Sequence, residues 1–151
     1  MRRALCVVAL LALVTPAFAA DNFSGTWKIN MQKSTGPEPT RVEQLVCVTE
    51  GDEQACTLTG KAPDSTPFTS KFSMPRKGGE GKIMDLPPFT GVTAKPSTAN
   101  TQDFTFTTNG KPATHVHSVV SSDGKTMTSK VRVMSGGRSK PGIYTDIWEK
   151  Q

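Results

Sequence analysis

The chain has 151 residues, 35% hydrophobic, 7% aromatic and 21% charged, with a formal net charge of +5. That length leaves room for one domain and excludes a two-domain enzyme. A chain of this size buries roughly two thirds of the surface it exposes when unfolded, enough for a core without a structural metal. The basic residues Lys28, Arg41, Lys71, Lys82, Lys95, Lys130 and Arg138 are scattered rather than drawn into a stripe, which argues against nucleic acid as a partner.

At the N-terminus Arg2 and Arg3 precede the uncharged run 4–14, then Pro16 and Ala17-Phe18-Ala19. This pattern reads as a secretory signal peptide covering residues 1–19. Its apolar run of about eleven residues falls well short of the roughly 20 that span a bilayer. Residues 20–151 are therefore expected to form one exported domain, periplasmic or secreted, with no membrane span. Loss of Arg2 and Arg3 leaves 16 basic against 13 acidic residues, a net charge of +3.

Strand-like runs then follow at 23–31, 41–49, 54–60, 68–74, 82–86, 90–94, 102–107, 113–121, 126–134 and 143–150. Between them stand breakers such as Gly36-Pro37, Gly78-Gly79, Pro87-Pro88 and Gly136-Gly137. No stretch longer than a turn or two reads as helix.

Cys47 and Cys56 fall in the second and third runs. A two-residue turn at Gly51-Asp52 sets Glu50 opposite Glu53, Thr49 opposite Gln54, Val48 opposite Ala55 and Cys47 opposite Cys56. The cysteines form a non-hydrogen-bonded pair in that register, close enough for a disulfide. Their spacing matches neither a redox Cys-x-x-Cys nor zinc ligation, so the bond is expected to be structural.

Further along, Phe104 and Phe106 must share a face with Val116 if the core is continuous. A two-residue turn at Asn109-Gly110 pairs Phe104 with His115 and breaks that face. A three-residue loop of Thr108, Asn109 and Gly110 restores it and is the expected connection. The next hairpin is expected to turn at Asp123-Gly124 in the type I′ form. Val120 then faces Met127, Ser118 faces Ser129 and Val116 faces Val131, all inward. His115, His117, Lys130 and Arg132 fall on the outer face.

Trp27 in the first run and Trp148 in the last are placed as though the two ends of the chain meet. An antiparallel up-and-down β-barrel of eight to ten strands follows, since closure hides the apolar face and removes exposed edges.

Gly25-Thr26-Trp27-Lys28-Ile29-Asn30 with Lys33-Ser34, the stretch Ser121-Ser122-Asp123-Gly124-Lys125-Thr126-Met127-Thr128, and Ile147-Trp148-Glu149-Lys150-Gln151 resemble a group of small exported bacterial proteins of largely unassigned role. The N-terminal Gly-x-Trp is similar to that of the calycins, the lipocalins and fatty-acid-binding proteins. This resemblance implies a calycin-like barrel with Trp27 packed near one end and a cavity for a small apolar molecule. Two departures matter. Residues 32–39 are too short and too rich in breakers for the helical lid of fatty-acid-binding proteins. Nor does the stretch Tyr144-Thr145-Asp146-Ile147-Trp148 match their carboxylate-binding arginine and tyrosine.

The expected ligand-binding residues are Trp27, Phe104, Phe106, Val116, Val120, Met127 and Val131. The competing expectation is that these side chains simply fill the barrel, as in a protein-interaction module such as a periplasmic protease inhibitor. His115, His117, Lys130 and Arg132 form a candidate anion site. A metal there is not expected, because no acidic residue joins that face in the proposed register and two cations do. No cofactor is implied. Without a Gly-x-Ser-x-Gly elbow or a carboxylate pair in an apolar setting, no catalytic constellation emerges.

Overall fold

The computed structural model describes residues 21–39, 41–62, 64–134 and 139–151. The expected leader, the Gly136-Gly137 breaker and Arg138 lie outside these described residues. Eleven strands build one antiparallel sheet: β1 (Gly25–Ile29), β2 (Val42–Glu50), β3 (Glu53–Lys61), β4 (Pro67–Pro75), β5 (Gly79–Glu80), β6 (Lys82–Asp85), β7 (Gly91–Ala94), β8 (Thr101–Thr108), β9 (Lys111–Val120), β10 (Thr126–Val133) and β11 (Gly142–Lys150). Their order is β5-β7-β8-β9-β10-β11-β1-β2-β3-β4-β6. The first and last strands do meet, with Trp27 opposite Lys150 and Ile29 opposite Trp148.

The sheet curls into a nearly closed barrel of eleven strands rather than eight to ten. The additional strand is β5, in a Gly-Gly segment with no apolar alternation to announce it. Its Gly79 and Glu80 pair with Ala94 and Thr93 of β7, while β6 pairs with β4. One short bent segment thus joins both edges of the sheet through Gly81, whose N–H donates to the Val92 carbonyl at 2.8 Å.

Three turns decide which side chains face inward. The β2–β3 hairpin has the expected register, and Cys47 and Cys56 lie opposite each other with Cα atoms 4.2 Å apart and sulfurs at disulfide distance. Closing so short a loop stabilises the fold by about 2 to 3 kcal/mol through the unfolded chain. The double variant Cys47→Ser, Cys56→Ser should therefore unfold at a lower urea concentration by that free energy. An unchanged midpoint would remove the disulfide from any account of stability.

Between β8 and β9 the structure uses the two-residue Asn109-Gly110 turn, not the three-residue loop, and both residues have positive φ (52° and 75°). The face is rescued by a different device. Phe106 pairs with Thr114 but Thr107 with Pro112, so Ala113 is an extra, bulged residue. Phe104 consequently lies opposite Val116, and both phenylalanines point inward. The β9–β10 register also stands as expected, although the connection is not type I′. Asp123 keeps a negative φ, and Gly124 N–H bonds the Ser121 carbonyl in a turn centred on Ser122 and Asp123.

Two apolar clusters fill opposite parts of the interior. Phe23, Trp27, Ile29, Val120, Met127 and Trp148 seal the end where the chain emerges from residue 21. Trp27 is fully buried there, and its indole N–H donates to the Phe23 carbonyl at 2.8 Å. The second cluster runs along the closing seam, where Phe72, Phe104 and Phe106 pack with ring centroids 5.1 to 6.0 Å apart.

Candidate functional site: the barrel interior

These clusters leave a cavity of about 530 Å³ between them. Its floor is set by Phe23, Met127 and Trp148 of the sealed end. Leu45, Leu58, the Cys47–Cys56 disulfide and the phenylalanine seam form its walls, and it reaches Arg41, Ala62, Phe68 and Ser139 at the other end. Ligand pockets of this size, apolar with few polar groups, are the usual form of a small-molecule site.

Of the residues expected to bind, Phe104, Phe106, Val116, Met127 and Val131 line the cavity. Trp27 and Val120 do not, because they belong to the plug beneath it. Their inward direction was legible, but their depth along the barrel depends on where Phe23 folds under the sheet.

The interior also carries a polar row, of which the hairpin register places only Ser118 and Ser129 on the inner face in advance. Gln102, Ser118, Ser129 and Asp146 are successive cross-strand partners on β8, β9, β10 and β11, and all four are buried. Ser118 and Ser129 hydrogen-bond each other at 2.8 Å, and the Gln102 amide donates to Gln54 Oε1 across the barrel at 2.6 Å. Asp146 differs. It is only 8% exposed, and its Oδ1 has no hydrogen-bond partner among the described residues. Burial alone pushes its carboxyl from 3.8 up to about 6. The Trp148 indole N–H and Arg41 Nε are likewise buried without partners. Strand periodicity could have flagged this set, since Tyr144, Asp146 and Trp148 are two apart and must share one face.

On the outer surface, His115, His117, Lys130 and Arg132 do share a face, with His117 beside Lys130 and His115 beside Arg132. The expectation that no acid joins them fails. Asp103 on β8 lies opposite His117 and reaches both imidazoles, at 3.3 Å to His115 Nε2 and 3.0 Å to His117 Nδ1. Its carboxylate offsets the positive charge that an anion would need. No group of three His, Cys, Asp or Glu side chains among the described residues is placed to hold a metal ion. Among them, too, no helix is long and apolar enough to cross a membrane.

No family model and no curated protein matches the chain. Among solved structures it is similar to a redesigned β-barrel, at 14% identity and a TM-score of 0.48, over 86% of this chain and 92% of that one.

Proposed function

We propose that this chain is an exported, calycin-like carrier that holds a small, mainly apolar molecule inside its barrel. The observation that supports it is the cavity of about 530 Å³ walled by leucine, valine, phenylalanine and the disulfide. A barrel built only to fill itself has no reason to leave such a space, because each void forfeits packing contacts. The pairing of Cys47 with Cys56 supports export, since disulfides persist outside the reducing cytosol.

The test is titration of the purified chain with the neutral fluorophore N-phenyl-1-naphthylamine. One saturable site is expected. Filling the space with Leu58→Phe and Val131→Phe, both wall positions only partly buried, should weaken binding by about tenfold or more while the fold survives. Absence of saturable binding, together with no co-purifying small molecule in native mass spectra, would overturn the carrier reading and return weight to an interaction module.

A further inference from the structure

We infer that the cavity selects an amphiphile with a protonated amine head, which it holds between the Asp146 carboxylate and the flanking Tyr144 and Trp148 rings. This inference rests on the carrier reading and narrows it to a class of ligand.

An unpaired carboxylate in an apolar chamber is costly unless something supplies the missing donor. Here no described residue does so. Among the described residues the other titratable side chains lining the cavity are Arg41 and Tyr144, and neither bonds Asp146 Oδ1. From the neighbouring strand β10, Ser129 faces Asp146, whereas Lys130 and Arg132 lie on the outside. A guest in the cavity can supply that donor.

The surroundings favour an ammonium over other donors. It carries three N–H groups. Asp146 Oδ1 offers one acceptor, and the Ser129 hydroxyl, its cross-strand neighbour, offers another. Tyr144 and Trp148 stand two residues to either side of Asp146 on the same inward face, and aromatic faces attract cations. The walls formed by Leu45, Leu58, Phe72, Phe104 and Phe106 are apolar and suit a hydrocarbon tail. A fatty acid would instead set one carboxylate against another, and a plain hydrocarbon would bury Asp146 without a partner.

The experiment is displacement of N-phenyl-1-naphthylamine by dodecylamine, dodecanol and dodecanoic acid, each below its micelle concentration, at about pH 7.5. Dodecylamine should compete roughly thirtyfold better than the acid and better than the alcohol, the low end of what a buried charge pair commands. In Asp146→Asn, N-phenyl-1-naphthylamine should still bind while the amine preference collapses to within about threefold. Equal competition by amine and acid on the wild type, or a preference that survives Asp146→Asn, would overturn the inference and leave the apolar carrier standing. Failure of the fluorophore itself to bind would instead strike the carrier reading.

Discussion

Replacing Asp146 with asparagine is expected to stabilise the empty barrel at neutral pH, by on the order of 2 to 3 kcal/mol, even as it abolishes amine selectivity. The sign follows from proton linkage. In the folded chain burial raises the carboxyl to about 6, against 3.8 in a solvated chain. Below 3.8 both states are protonated and the group costs nothing. Between 3.8 and about 6 the unfolded chain releases its proton while the folded chain keeps it, so stability falls as pH rises. Above about 6 the full cost is present, about 3 kcal/mol for that difference. Urea unfolding of wild type and variant between about pH 4 and pH 7.5 reads this directly. The two midpoints should nearly coincide at the acid end and separate as pH rises, with the variant ahead. A variant less stable at pH 7.5, or a gap independent of pH, would mean that Asp146 is satisfied within the fold. The combination of gained stability and lost recognition separates a binding carboxylate from a structural one, whose loss costs both.

How far this interior could be read beforehand depended on whether each signal was local. The Cys47–Cys56 register and the inward row of Val116, Val120, Met127 and Val131 follow from counting outward from tight turns, and the barrel pairs them that way. Counting failed where the backbone departs from strict alternation. The Ala113 bulge lets Asn109-Gly110 make its preferred two-residue turn and still keep Phe104 inside, and nothing in the pattern around Pro112 announces it. Asp103 alternates with Phe104 and so faces the outer histidines, but its partner His117 is fixed only by the bulged register. Asp146 becomes legible only once Tyr144 and Trp148 are assigned inward, because a lone carboxylate on a strand matches no ligand motif. The cavity itself could not be read at all, because an empty volume depends on how eleven strands curve together and not on any one of them.

That curvature depends on a single tight passage, and Gly81→Val is expected to be the most damaging substitution along the seam, lowering stability by more than about 3 kcal/mol. Gly81 lies between β5, which pairs with β7, and β6, which pairs with β4. A Cβ on Gly81 would stand 2.2 Å from the Ser73 carbonyl oxygen and 2.8 Å from Val92 Cγ1. The first of these is backbone of β4 and cannot swing aside, so even Gly81→Ala must push β4 away from the segment that also bonds Val92. The two edges of the sheet would then separate beside Phe72, Phe104 and Phe106, opening the cavity wall to water. Lys82→Ala, one residue on and exposed, is the matched control and should change stability by less than about 0.5 kcal/mol. Urea unfolding measures the loss, and N-phenyl-1-naphthylamine titration reports whether the wall still seals. If Gly81→Ala matched the control in both, closure would have to be carried by the phenylalanine packing and not by backbone contact. Crowding of the Gly81 Cβ against β4 should instead abolish binding at urea concentrations where the disulfide hairpin is still folded.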